Sequence, residues 1–549
     1  MKRRNPVVSA GILVFVLFLA AAAAYAVLRY MPTSKRADLY EYYQAADGDE
    51  AKLVLGTQIL EVNGLVRDGQ AYLPLAMVNE YLNARYYWDE DNQQVLYATP
   101  STLTRSAAAS QPGQDVWLRD GEVFLKMDYV KRFTDLDCYV YSQPARICMQ
   151  NRFTDLMTVS VKKKTAVRVL GGIKSKVLTE VSEGNTLLFM QDYDDWLQVA
   201  TWDGYIGYVK ASKVTKPSLN SYARSFQEES YNYLKTEEPV NMVWNMVTVP
   251  DANDFLEGLT ENMTGVNVIT PTWFFLEGSS GQFQDISSSS YVERAHAMGL
   301  KVWGMVDNIN SESNIYEALR HTGSRQTLIR GLVDAAVAVG LDGINVDFET
   351  LDEDTIPHFL EFLRELSIET HKYGLVLSVD DPVTSVYTEH YNRREQGRVV
   401  DYLIIMGYDE HYVNSESAGS VASLPWVEQG VIDAIAEVNP QRVINAIPFY
   451  TRVWWTQGNA LYSSSMGMEE SFELISQVNA EPWWNNDLGQ LYASWDDGGT
   501  KYEIWLEDEQ SLREKALLVG KYGLAGIACW RLGSERDTVW QVLSAALHE

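Results

Sequence analysis

Residues 239–549 are punctuated by eight short apolar runs: Met242–Val249, Val266–Ile269, Lys301–Met305, Gly343–Phe348, Leu375–Val379, Tyr402–Met406, Val443–Ile447 and Gly526–Cys529. Stretches of helical periodicity separate most of them. In Gln326–Val339, the residues Leu328, Leu332, Ala335 and Ala336 recur on one helix face, and Thr355–Tyr373 and Leu512–Tyr522 also read as helices. A strand that is apolar throughout is buried on both faces, as parallel strands are. Eight such strands alternating with helices close into a barrel. The expected fold is therefore α/β, a (β/α)8 TIM barrel. The segment from about 450 to 508 is too long for a simple loop after the seventh strand. Its Asp496-Asp497-Gly498-Gly499 turn, between Tyr492–Trp495 and Tyr502–Trp505, predicts a hairpin within an α+β insertion.

Chemistry in such barrels sits at the C-terminal strand ends, and the fourth run is polar there. It reads Asp342-Gly343-Ile344-Asn345-Val346-Asp347-Phe348-Glu349. With period two, Ile344, Val346 and Phe348 face the outer helices while Asn345, Asp347 and Glu349 face the barrel interior. Two neighbouring carboxylates inside a barrel are costly unless used or paired, and each raises the other's pKa. One can then hold a proton while the other is charged, the division of labour that glycosidic cleavage needs. Glu349, nearest the strand end, is the candidate general acid, with Asp347 behind it. Asp307-Asn308 and Asp380-Asp381 end the third and fifth strands and read equally as cleft residues or helix caps.

The segment resembles the DxxDxDxE signature of glycoside hydrolase family 18, which includes chitinases and bacterial N-acetylglucosaminidases. Asp342, Asp347 and Glu349 match, and Asn345 stands in place of the second Asp. Met406-Gly407-Tyr408-Asp409 is similar to the family's Met-x-Tyr-Asp, and Trp530 to the tryptophan beneath the reacting sugar. Ile447-Pro448-Phe449-Tyr450-Thr451-Arg452 is like its substrate-contacting loop. The resemblance covers 239–549. It is strongest to the spore-cortex and cell-wall lysins of Gram-positive bacteria, whose strands also carry Asp-Gly-x-Asn-x-Asp-Phe-Glu. It implies hydrolysis of β-1,4 bonds next to N-acetylglucosamine, in peptidoglycan or a chitin-like glycan, by a retaining, substrate-assisted mechanism without a cofactor. By that resemblance Glu349, Asp347 and Tyr408 are catalytic. Asp342, Asn345, Met406, Asp409, Tyr450, Arg452 and Trp530 would contact substrate. Twelve of the sixteen tryptophans lie in 239–549; Trp273, Trp454 and Trp455 follow strand ends, where an indole can stack on a sugar. The competing readings are a catalytically silent relative that only binds or tethers to glycan, and a scaffold whose barrel holds a protein partner.

Charge narrows the partners further. The chain carries 45 basic and 74 acidic residues. The 46 acids and 18 bases of 239–549 account for nearly all the excess. This argues against nucleic acid and against adhesion to anionic lipid. Substrate capture is expected to rest on aromatic and hydrogen-bond contacts. The seven histidines show no metal-ligand spacing, so no metal site is expected.

Lys2, Arg3 and Arg4 precede an apolar stretch from Ala10 to Leu28 within residues 1–30, long enough to cross a bilayer and to leave the rest of the chain outside the cytoplasm. Ala24-Tyr25-Ala26 also fits a signal-peptide cleavage site, so a cell-membrane anchor and secretion both stand. Residues 38–155 hold a weak repeat: Arg67-Asp68-Gly69 with Tyr72-Leu73 recurs as Arg119-Asp120-Gly121 with Phe124-Leu125, each copy a strand, turn, strand and short helix (Leu75–Leu82, Met127–Phe133). The pattern is similar to the α+β repeat of copper amine oxidase N-terminal domains. It implies no copper, and the plain reading is a spacer or wall-contacting module. Residues 160–215, with strands at Val167–Leu170, Leu187–Gln191, Trp196–Thr201 and Tyr205–Val209, resemble a bacterial SH3 domain, a wall-binding or an inert barrel. Residues 216–238 read as a linker, with room for one short helix. Cys138 and Cys148 could bridge in an exported chain or simply be buried.

Overall fold

The computed structural model describes residues 6–45, 48–309, 312–458 and 460–549. Lys2, Arg3 and Arg4 lie outside the described residues. Pro6–Tyr30 forms one helix of 25 residues. At 1.5 Å per residue it is about 37 Å long, enough for a hydrocarbon layer of about 30 Å. The stretch Ala10–Val27 is apolar and unburied.

The chain divides into two compact units, one of residues up to Tyr86 with Ser106–Glu228, the other of Tyr87–Arg105 with Glu229–Glu549. In the first, both repeat copies fold as a hairpin followed by a helix. Gln58–Arg67 and Gln70–Pro74 lead into Leu75–Tyr81, and Val116–Arg119 and Glu122–Lys126 lead into Met127–Phe133. Asp68-Gly69 and Asp120-Gly121 all adopt positive φ, as a two-residue hairpin turn requires. The copies pair antiparallel, Leu73 opposite Leu125. Cys138 and Cys148 lie on neighbouring strands as free thiols.

Residues 156–220 form a seven-stranded sheet that includes the four expected strands and adds Leu156–Ser160, Val177–Val181 and Ser218–Asn220. No helix forms in the expected linker. Its start pairs with Leu156–Thr158, and its end docks on the barrel, where the Arg442 guanidinium lies 3.6 Å over the Tyr233 ring.

In the second unit eight parallel strands close a barrel: β1 (Val240–Asn245), β2 (Val268–Glu277), β3 (Lys301–Asp307), β4 (Gly343–Asp347), β5 (Val376–Pro382), β6 (Tyr402–Met406), β7 (Val443–Pro448) and β8 (Gly526–Trp530). β8 pairs back with β1. Outward side chains such as Ile344, Val346, Leu377, Val379, Leu403 and Ile405 pack with the helices in one large core. Inward ones, among them Met242, Trp244, Trp303, Met305, Ile404 and Ala446, fill a smaller central core. β2 runs longer than its apolar run because it continues into a hairpin with Gln282–Asp285, which the sequence pattern did not signal. The insertion after β7 is a five-stranded antiparallel sheet with the helix Met468–Gln477, and the expected turn joins Asp497 to Thr500.

Candidate active site

The interior core gives way to polar residues toward the C-terminal mouth. Asp307 of β3 lies in register with Asp347 of β4. Val346 pairs with Val379, which sets Asp380 of β5 beside Asp347 on the other flank. Three adjacent strands thus each place an aspartate at one level, and all three are buried. Beneath them Asn345 is also buried. Its carbonyl accepts the Trp244 indole N–H (3.0 Å), and its amide donates to Ser378 Oγ (3.0 Å) and Asp380 Oδ1 (2.8 Å).

Glu349 follows β4 by two residues and is exposed at the mouth. Its position is fixed through its backbone: Glu349 N donates to Asn308 Oδ1 (2.8 Å), and Asn308 Nδ2 donates to Glu349 O (2.9 Å). Tyr408 and Asp409 follow β6, and the Tyr450 hydroxyl donates to Asp409 Oδ1 (2.5 Å). The rings of Tyr408 and Tyr450 meet edge-on at 6.2 Å. Trp530 ends β8 and packs edge-on against Trp244, 5.8 Å between centroids. One cavity of about 380 Å³ borders Glu349, Met406 and the exposed Tyr387. A second, of about 580 Å³, borders Asp409, Tyr450, Arg452 and Trp530.

Crowded carboxyls in a dry barrel cannot all ionise. Burial, then the charges of Asp380, Glu349 and Asp307, hold Asp347 well above the usual carboxylate range. Asp380 is raised likewise by burial, against the lowering pull of the Asn345 hydrogen bond. Glu349 is raised by partial withdrawal from water and by Asp409 and Asp307. Burial and the nearby acids push the Tyr408 phenol up, so it stays a donor. The arrangement is an acid at the mouth with a raised pKa, backed by buried carboxyls that oppose one another's ionisation.

Asp307 gives a testable stability effect. Burial raises its carboxyl from 3.8 to about 6, offset only by the Ile309 N–H. Below pH 3.8 it is protonated folded and unfolded alike. As pH rises through about 6, ionisation costs the fold about 3 kcal/mol. Asp307→Asn keeps the acceptor and removes the charge. Thermal melts from about pH 4 to about pH 7 should show the variant gaining on the parent as pH rises. Parallel melting curves would contradict this.

Six of the expected site residues need correction. Asp342 sits at the N-terminal end of β4, the far end from Glu349, where it accepts from Lys301 Nζ (2.8 Å), pairs with His296 Nε2 (2.7 Å) and accepts from Val302 N (2.9 Å). It braces the base of the barrel and does not meet substrate. Asn345 lies beneath the aspartate row with both polar ends engaged, so it too lies out of reach. Trp273 is fully buried on the outer face of β2, its indole N–H held by Asn253 Oδ1 (2.8 Å) and its ring against Tyr291. Trp454 is buried with its N–H on the Gly419 carbonyl, and Trp455 stacks between Tyr462 and Tyr502 in the insertion sheet. The Asp380-Asp381 pair divides: Asp380 points inward, whereas Asp381 lies 3.4 Å from Arg393 Nε and accepts from Gln396. From the sequence Asn308 and Asp380 read equally as cleft residues or helix caps; the structure places both at the cleft.

Carboxyl pairs of this kind at the mouth of a parallel barrel serve glycosidic cleavage, and the fold and site are those of a glycan-hydrolysing barrel enzyme. The chain belongs to the glycosyl hydrolases family 18, whose model matches residues 251–535. It is 24% identical over 298 residues to the uncharacterized glycosylase YvbX of Bacillus subtilis (strain 168), covering 52% of this chain and 86% of that protein. Against the cortical fragment-lytic enzyme of the same organism it is 24% identical over 230 residues, 40% of this chain and 53% of the relative. A chitinase structure from Chromobacterium violaceum ATCC 12472 superposes with a TM-score of 0.51 at 23% identity, over 57% of this chain and 99% of the other, and supports the fold.

Proposed function

We propose that the chain hydrolyses β-1,4-glycosidic bonds next to N-acetylglucosamine in peptidoglycan or a chitin-like glycan, with retention and with the substrate's own acetamido group as nucleophile. The observation that carries this reading is the vertical order of the two carboxyls: Glu349 open at the mouth, Asp347 buried directly behind it and itself hemmed in by acids. Glu349, whose raised pKa keeps its proton to higher pH than an ordinary glutamate, donates it to the leaving oxygen. The acetamido carbonyl attacks the anomeric carbon and forms an oxazolinium. Asp347 orients that group and balances its positive charge. The Tyr408 hydroxyl, which makes no hydrogen bond among the described residues, donates to it. Glu349 then takes a proton from the water that opens the ring. Trp530 floors the sugar, and Met406, Asp409 and Tyr450 line its sides.

The N-terminal helix would hold the enzyme at the cell membrane with the catalytic unit outside, or direct its secretion. Residues 160–215, as an SH3-like module, would engage the wall, with 38–155 as the spacer or a second contact. The names of the relatives, a cortical fragment-lytic enzyme and a chitinase, accord with a polysaccharide substrate.

The mechanism is tested by following the first-formed reducing end by proton NMR, using N-acetylated and deacetylated oligomers. The β-anomer should appear first, and deacetylation should slow cleavage by about a thousandfold or more, since the nucleophile is lost. An initial α-anomer, or equal rates on the two substrates, would overturn it.

A further inference from the structure

The larger cavity lies between Trp530 and the insertion, and two arginines line it, Arg452 and Arg531. Arg452 donates one Nη–H to Ser463 Oγ at 3.2 Å, while its Nε is buried without a partner among the described residues. No hydrogen bond or ion pair from the Arg531 side chain occurs among the described residues. The acids around them are already committed. Asp409 takes the Tyr450 hydroxyl. Glu469 binds Arg536 Nε at 3.0 Å. Glu535 accepts the Gly533 N–H at 2.6 Å, and burial raises its carboxyl. Only Glu470, exposed on the first turn of its helix, is left.

Several arginines elsewhere in the barrel sit with carboxylates, Arg325 with Glu365, Arg364 with Glu361 and Arg393 with Asp381, whereas Arg442 is held by the Val400 carbonyl and the Tyr233 ring. In a segment with 46 acids and 18 bases, Arg452 and Arg531 place two guanidiniums with no ion pair among the described residues at the cleft itself. A guanidinium offers a planar fork of donors that matches a carboxylate. A neutral polymer of N-acetylglucosamine offers it only uncharged acceptors, hydroxyls and acetamide carbonyls.

We propose that Arg531, together with Arg452, seats a carboxylate borne by the glycan beside the sugar on Trp530, so that the preferred substrate is an acidic, muramyl-type glycan and not a neutral chitin-like one. This rests on the hydrolytic reading above and names its substrate class. The carboxylate is either the lactyl acid of a peptide-free muramyl sugar or one on an attached peptide.

The test is calorimetric binding to the full chain carrying Glu349→Gln, so that ligand is not consumed. The probes are a tetrasaccharide of alternating N-acetylglucosamine and N-acetylmuramic acid, its methyl ester, and the same glycan with peptides amide-linked to the lactyl groups. The free acid or the peptide form should bind tighter than the ester by about tenfold or more. The tighter one identifies the source of the carboxylate. Adding Arg531→Gln should bring all three to within about twofold of the ester. Equal binding of acid, peptide form and ester, a preference that survives Arg531→Gln, or no binding at all overturns the proposal. Hydrolysis of neutral oligomers by the unmodified chain is measured alongside. Where the binding result overturns the proposal, cleavage of neutral oligomers means that only the carboxylate seat falls; if no glycan is cleaved, the hydrolytic reading falls as well.

Discussion

Glu349→Gln is expected to lower kcat by about a thousandfold or more on natural glycans while leaving ligand binding nearly intact. The side chain keeps its shape, and the two backbone hydrogen bonds to Asn308 do not involve the altered atoms. What disappears is the proton for the leaving oxygen. The loss should therefore depend on the leaving group. An aryl glycoside whose phenol is already a good leaving group needs little protonation, so its first step should be largely spared. The alkaline limb of the pH–rate profile should belong to Glu349. Because its carboxyl is raised above the ordinary 4.5, that limb lies on the alkaline side of the usual glutamate range, and activity falls as pH rises through it. In the Gln variant the limb vanishes. Unchanged turnover on unactivated glycan would remove the catalytic assignment.

Asp347→Asn should separate speed from stability. On the proposed mechanism its carboxyl supplies negative charge where the oxazolinium develops, and removing such charge should cost about a hundred- to a thousandfold in kcat with little change in KM. The same charge is a burden to the resting fold. Asp347 is buried, its Oδ1 has no hydrogen-bond partner among the described residues, and Asp380, Glu349 and Asp307 all oppose its ionisation. A folded-state pKa raised above the unfolded value makes the protonated form the stable one, so stability falls as pH climbs through the raised value. The variant should be slower yet melt higher than the parent near neutral pH, with the gap closing in mild acid. A variant that is both slower and less stable at neutral pH would indicate a structural role for the carboxylate instead.

The barrel was legible because its physics is written in consecutive residues. Tyr402–Met406 reads as five apolar positions because one face meets the inner core and the other the helices, and the run matches β6 residue for residue. Asp347 and Glu349 were legible for the same reason, as the polar face of a strand with no solvent-facing side. The corrected residues depend on information that a local pattern does not hold. Trp273 follows a run that ends at Ile269, but β2 continues to Glu277 and its register shifts between Thr272 and Phe274. The indole then points to Tyr291 on an outer helix. Asp342 belongs to the same eight-residue motif as Glu349, yet seven residues of extended chain set them more than about 20 Å apart at opposite ends of the strand. The Asn308 clamp joins the ends of β3 and β4, 41 residues apart in sequence. Only the closed barrel brings such pairs together.

That clamp bears on how one residue can serve twice. A group that first releases a proton upward to a leaving oxygen and later accepts one from water must reorient between the two events without drifting from its station. Asn308 holds the main chain of Glu349 on both sides, at N and at O, and leaves the carboxyl and its three rotatable bonds unrestrained. On the proposed mechanism the residue would be a swivel on a fixed post: its pivot is set by β3, and its head would turn with the progress of the reaction.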